Sequence, residues 1–131
     1  MKKLMVMSSI VSDIIAESYN TVVVTATEKP FDIYHDITDR KESGDCSYKS
    51  TDTVMINLDA LCNSGCTDNY TIDEIKSVFV LSGILLTDYS ATIFTIDPAK
   101  AETPKGKEII NILRETFGIT PEYDKSYALA V

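Results

Sequence analysis

Apolar residues recur at two different spacings along the chain, and each spacing predicts a type of element. Residues 3–19 carry apolar positions three and four apart, the period of an amphipathic helix, although residues 2–7 alone also fit a short strand. Residues 21–27 (TVVVTAT) are β-branched and predict a strand. Residues 31–38 (FDIYHDIT) alternate apolar and polar positions, so they predict a second strand that forms a hairpin with the first through residues 28–30.

The second half of the chain shows the same two spacings, separated by polar segments. Thr71 followed by Glu74 forms a capping box, which predicts the start of a helix. Residues 77–81 alone also fit a buried strand, but the capping box favours the helix. The predicted elements are a loop at 39–50, a strand at 53–58, a helix at 72–86, a strand at 91–97, a helix at 104–117 and a last strand in the tail, 126–131.

These elements predict one α+β domain spanning residues 1–131. The order α-β-β-β-α-β-α-β implies a mixed, mostly antiparallel sheet with about three helices. A chain of 131 residues with 44% hydrophobic content can bury a core of its own. No run approaches the roughly 20 apolar residues of a spanning helix, and three cysteines make an odd number. We therefore expect a soluble, cytoplasmic protein with reduced thiols.

The charge is strongly acidic and concentrated in the middle of the chain. Twenty acids against 12 bases give a net charge of −8, which argues against direct binding to nucleic acid or to an anionic membrane. Residues 28–75 hold eleven acids and four bases, a net charge of −7, whereas residues 1–27 sum to zero and residues 76–131 to −1. The middle segment is therefore where a basic partner would bind.

The stretch DALCNSGCTDNYTIDE raises the question of a metal site. The chain has four sulfur or nitrogen side chains suited to zinc, namely His35, Cys46, Cys62 and Cys66, and using all of them would give a zinc-stabilised interaction module. Cys62 and Cys66 have a compatible spacing, but the other two form no second close pair. We favour a loop that leads into the following helix, and we predict no metal and no cofactor.

Catalytic patterns in the sequence are weak, so an enzyme is not the favoured interpretation. His35 stands beside Asp36, but a single histidine does not complete a metal-binding pair of that kind. The alternative hypothesis is a homo-oligomeric small-molecule or nucleotide-binding protein, or a small enzyme, with a pocket near His35 and Cys46. In that hypothesis the apolar segment 78–86 forms the subunit contact.

The leading hypothesis is a small non-enzymatic binding protein whose acidic segment, residues 28–75, docks on a basic surface of another protein. A specific version is an inhibitor that occupies a nucleic-acid-binding surface by mimicking its charge. If residues 31–38 form a strand, alternate side chains stand on one face about 6.6 Å apart. The predicted contact residues are Asp32, Tyr34, Asp36, Asp39, Asp52, Asp59 and Asp68.

Overall fold

A computed structural model describes residues 2–18, 20–63 and 70–123 of the chain. Its strands are β1 (Lys2–Val6), β2 (Thr21–Thr25), β3 (Thr53–Asn57), β4 (Ala91–Ile96) and β5 (Pro121–Tyr123). Its helices are α1 (Ser9–Ser18), α2 (Phe31–Glu42), α3 (Cys46–Ser50), α4 (Ile72–Leu85), α5 (Pro98–Ala101) and α6 (Pro104–Phe117), with a short 3₁₀ helix at Asp59–Cys62.

The five strands form one sheet in the order β2-β3-β4-β1-β5, and every adjacent pair is parallel. The prediction of a mostly antiparallel α+β sheet with about three helices is therefore wrong. The described chain has an α/β fold, with six α-helices between and around parallel strands. Parallel neighbours require crossover connections, and here helices provide them.

The central error in the predicted fold is the segment 31–38, which forms the first two turns of α2 and not the second strand of a hairpin. Its buried residues, Ile33 and Ile37, are four apart, and this spacing fits one helical face as well as one strand face. The helix is favoured because residues 39–42 (DRKE) continue it. It ends before Gly44, whose φ of 75° is a conformation that suits glycine.

Two further predictions are corrected along the same half of the chain. The predicted loop 39–50 contains the end of α2 and all of α3, which begins where the Asp45 carboxylate accepts a hydrogen bond from the Ser47 amide at 2.9 Å. The predicted helix at 3–19 is divided into β1 and α1, so the alternative interpretation of residues 2–7 as a strand is the right one. Ser8 separates the two, and its hydroxyl accepts from the Val11 amide.

Other predicted elements are confirmed within a residue or two. The strands at β2, β3 and β4 are present, and α4 begins with the predicted capping box of Thr71 and Glu74. Helix α6 begins after a Thr103 cap and ends at Gly118, which has a φ of 67°. The predicted last strand, 126–131, lies outside the described residues.

One face of the sheet carries the main core. Helices α2, α4 and α6 pack side by side on it, and Phe94 at the centre of the sheet meets the ring of Phe79 edge-on at 5.8 Å. No residue of α1 belongs to this cluster, because α1 lies on the opposite face. The strand residues of the core are Leu4, Val6, Val22, Val24, Val54, Ile56, Phe94 and Ile96.

Within the described residues, every helix is too short or too polar to cross a membrane.

Candidate protein-binding groove

The helical form of residues 31–42 changes which acidic side chains lie together. Asp32, Asp36 and Asp39 are four and three residues apart, so they share one face of α2. Tyr34, which a strand would place between two of them, instead packs its ring against that of His35 at 5.7 Å. The helix thus aligns three carboxylates over about two turns, or roughly 10 Å.

These carboxylates line a groove beside the end of strand β2. The groove has a volume of about 380 Å³, and its lining carries three acids and one base, a net charge of −2 with the histidine neutral. The groove lies between α2 and the edge strand β2, and it is an open channel and not a closed pocket. The lining residues are Thr25, Thr27, Asp32, His35, Asp36, Asp39 and Arg40.

Strand β2 is an edge strand, and Arg40 partly covers its free side. The guanidinium donates from Nη1 to the Val23 carbonyl at 3.4 Å, and its Nε lies 3.3 Å from the Asp36 carboxylate. Charged side chains at exposed edges are a common protection against unwanted strand pairing. Arg40 therefore holds both a backbone acceptor of β2 and one of the three carboxylates.

The turn from β2 into α2 fixes the mouth of the groove. The Thr27 hydroxyl donates to the Asp32 carboxylate at 2.7 Å, and the Lys29 amide donates to the Thr27 oxygen at 3.1 Å. These contacts hold Asp32 in the first turn of the helix, where a negative charge is favourable. The acidic end of the groove is thus ordered by local hydrogen bonds.

Comparisons of the chain with protein-family models, with curated proteins and with solved structures give no match.

Three other predicted contact residues, Tyr34, Asp52 and Asp59, do not line the groove. Asp52 is exposed just before β3, at the opposite end of the sheet from the start of α2, and its amide donates to the Asn20 carbonyl. Asp59 lies after β3 and is half-buried. Asp68 lies outside the described residues. Among its described members, the predicted acidic set therefore divides, and only those on α2 come together.

The carboxyl edge of the sheet is the second place where polar side chains gather. The strand order reverses between β4 and β1, and open parallel sheets bind ligands at such a reversal. Beside this reversal, where β3 and β4 end, the Asp59 carboxylate accepts from the Asp97 amide at 2.7 Å, and the Asp97 carboxylate accepts from the Ala99 amide at 2.9 Å. Both carboxylates hold the backbone that follows β3 and β4, so we assign these two residues a structural role.

Burial raises the pKa of the Asp59 carboxyl above its ordinary value of 3.8, and hydrogen bonds from Asp97 and Asn57 offset only part of that shift. The folded state therefore disfavours the ionised form, and this cost develops as the pH rises from 3.8 through the folded pKa. We expect Asp59→Asn to have a higher free energy of unfolding than the wild type at neutral pH, since the amide oxygen can still accept from Asp97. Denaturant titrations should show the difference vanishing below pH 3.8, and a variant less stable than wild type at neutral pH would contradict the assignment.

The three described side chains of the zinc hypothesis lie in different surroundings. His35 is exposed in the groove, Cys46 is exposed at the start of α3 and Cys62 is buried with its sulfur 3.6 Å from the Leu58 carbonyl. Cys66 lies outside the described residues. Within 2–18, 20–63 and 70–123, no three His, Cys, Asp or Glu side chains are grouped as metal ligands would be. Cys46 also does not line the groove beside His35.

Sequence reasoning missed Arg40 and Thr27 as groove residues. Both lay in segments interpreted as a loop or a strand end. The signal for Arg40 was its position four residues after Asp36, which pairs opposite charges only on a helix. With α2 recognised as a helix, that spacing would have identified the groove.

Proposed function

We propose that the protein is a binding protein that captures a basic segment of another protein in the groove between α2 and β2. The observation that carries this proposal is the alignment of Asp32, Asp36 and Asp39 on one helical face beside a strand edge. The edge supplies backbone hydrogen bonds to an extended segment, and the carboxylates select lysine or arginine side chains. Extended segments bind other sheets in this way.

Arg40 would move aside when a partner binds. Its ion pair with Asp36 is more than one-third exposed on both sides, and such pairs contribute little to stability. A cationic side chain of the partner would replace the guanidinium on the carboxylate, and the Val23 carbonyl would become available to a backbone amide. The Asp36 carboxylate thus exchanges the Arg40 guanidinium for a cation of the partner at a small cost in free energy.

The charge of the whole chain supports the same class of partner. A net charge of −8 attracts cationic surfaces over a long range and makes association sensitive to salt. Basic surfaces that bind nucleic acid are one such class, and occupation of one of them would inhibit it. The exposed Cys46 thiol suits a reducing compartment, so the proposal places the protein in the cytoplasm.

The test uses the full chain and a labelled short peptide of alternating lysine and threonine. Replacing Asp36 and Asp39 with asparagine should weaken binding about tenfold, because two ion pairs are lost. The control carries the same charge change at Glu102→Gln and Glu122→Gln, two exposed acids outside the groove, and should bind almost as the wild type does. Equal weakening in both variants would show non-specific attraction and would contradict the proposal.

A variant of the covering arginine gives an effect of opposite sign. Arg40→Gln removes the competing cation and frees the strand edge, so it should strengthen peptide binding severalfold. Arg114→Gln changes the net charge by the same amount on α6, outside the groove, and should leave binding almost unchanged. Weaker binding by Arg40→Gln would show that Arg40 belongs to the binding surface and does not cover it.

A further inference from the structure

The sheet face opposite the main core is covered only in part. Helix α1 lies on this face, where Ile15 borders a cavity of about 190 Å³ together with Thr21, Thr53 and Ile93. These three strand residues alternate with the core residues of their strands, so they point away from α2, α4 and α6. Among the residues that the structure describes, one helix of ten residues therefore covers part of a five-stranded face, and the rest of that face is open to solvent.

The strand register shows where the cover ends. Val23, Met55, Ile93 and Lys3 are neighbours in one row across the sheet. Met55 is 1% exposed, whereas Val23 at the end of the row is 37% exposed, and Ile93 and Lys3 are intermediate. All-parallel sheets occur almost only with both faces covered. In the described part of the chain, the layer beside α1 is therefore incomplete, and we call its partly exposed residues Lys3, Val23 and Ile93 the strip.

Helix α1 also shows apolar side chains on its outer side. Ile10 and Ile14 are four residues apart and 65% and 56% exposed, while Ile15 faces the sheet. A helix that is apolar on both sides is typical of a buried position. The outer side of α1 and the strip of sheet beside it thus both expose apolar side chains, Ile10, Ile14 and Val23, next to charged ones.

The charge of this surface indicates what covers it. It carries one base, Lys3, and two acids, Asp13 and Glu17, a net charge of only −1 in a chain of net charge −8. Lys2 lies on the other face of the sheet, with its ammonium 5.3 Å from the centre of the Phe117 ring. A basic partner would be drawn to the acidic groove, and two copies of the chain would repel each other through that region. We infer that the protein forms a homodimer through α1 and the uncovered strip of its sheet.

Two-fold symmetry makes this contact complementary. In such a contact the same surface is used twice, so α1 of each copy covers the strip of the other. Lys3 lies in the sheet strip, and Asp13 and Glu17 are exposed on α1. Each copy thus offers a cation on the sheet and two anions on the helix, which can form the same ion pairs twice across the contact.

Helix α4 carries a second apolar surface, and its surroundings suit self-association less well. Val80, Leu81 and Ile84, in the segment predicted as a subunit contact, are exposed. However, α4 carries two exposed acids in its first turn, Asp73 and Glu74, and its base Lys76 is already paired with Glu115 at 2.8 Å. Ile84, which is 61% exposed, therefore provides a matched control for the α1 residue Ile10.

Sedimentation velocity of the full chain over a range of concentrations tests the inference. The wild type should dimerise, and Ile10→Glu should raise the dissociation constant at least about tenfold. The side chains of Ile10 and of the control residue Ile84 are both exposed, and a glutamate at position 10, in the first turn of α1, favours the helix. Unfolding would therefore not explain a loss of dimer affinity. Ile84→Glu should dimerise as the wild type does. A monomeric wild type, or a dimer broken by Ile84→Glu and not by Ile10→Glu, would overturn the inference.

A charge exchange tests the arrangement within the dimer. Lys3→Glu and Glu17→Lys should each weaken the dimer severalfold, and the double variant should recover most of the affinity because the ion pairs form again in reversed polarity. Additive weakening in the double variant would overturn the proposed pairing. Peptide binding in the groove involves different side chains, so this result is independent of the proposed function.

Discussion

Replacing Phe94 with alanine is expected to lower the free energy of unfolding by about 3 to 5 kcal/mol. Phe94 is fully buried on β4, the central strand, and its ring lies 5.8 Å from those of both Phe79 and Phe117. Truncation removes contacts to α4 and α6 at once and leaves a cavity that rigid neighbours cannot fill. Since the free energy of unfolding of small domains is about 5 to 15 kcal/mol, this loss would be a large share of it.

The matched control is Phe31→Ala at the start of α2. Phe31 is partly exposed and meets one ring, that of Tyr70, at 6.3 Å. Phe31→Ala should lower the free energy of unfolding by about 1 kcal/mol, as is usual for a half-buried side chain. Urea denaturation followed by circular dichroism measures both variants. Equal losses would contradict the placement of Phe94 at the centre of the core.

Replacing Gly106 with alanine is expected to destabilise the protein by about 3 kcal/mol or more. A Cβ atom at this position would lie 1.9 Å from the Lys100 carbonyl oxygen and 2.8 Å from its carbon. These are backbone atoms, so relief requires α5 and the start of α6 to separate. The helix propensity of alanine recovers only about 1 kcal/mol.

Gly83→Ala on α4 should have the opposite effect. The atom nearest to a Cβ added at Gly83 is the Cε of Lys2 at 3.0 Å, which can move because it lies near the end of a flexible side chain. The gain in helix propensity should then leave the variant as stable as the wild type or slightly more stable. Thermal unfolding of both variants measures the contrast. A neutral Gly106→Ala would contradict the close packing of α5 against α6.

The parts of the fold that could be predicted are those with strong local signals. Capping by Thr71 and Glu74 located α4, and the β-branched run after Thr21 located β2. Such signals act within a few residues and do not depend on distant contacts. The direction of the strands could not be predicted, because it depends on how the chain returns between them.

The segment 31–38 shows why local patterns can mislead. Ile33 and Ile37 satisfy both a period of two and a period of 3.6, so the pattern alone does not distinguish strand from helix. Tertiary packing decides, since Ile33 and Ile37 belong to the same buried cluster as strand residues such as Val24. This wrong element converted the crossover between β2 and β3 into a hairpin, and with the missed strand β1 it changed the fold class.

The acidic charge of the candidate groove could be predicted from the sequence, but the arrangement of its side chains could not. The concentration of acids in residues 28–75 is visible in the sequence, and three of the predicted contacts lie in the groove. Their alignment depends on α2 being a helix, and the distance of Asp52 and Asp59 from them depends on the sheet. Residues close in sequence were therefore assigned to one surface although the fold separates them.

The groove is tested most directly by mapping where a cationic segment binds. Isotope-labelled protein would be titrated with the alternating lysine and threonine peptide while the backbone amide resonances are recorded by nuclear magnetic resonance. The proposed function predicts the largest shifts in β2, in the turn that follows it and on the acidic face of α2, with the Asp36 and Asp39 double variant losing them. Shifts centred on the exposed acids of α4 or at the carboxyl edge near Asp59, or shifts spread evenly over all acidic surfaces, would contradict it.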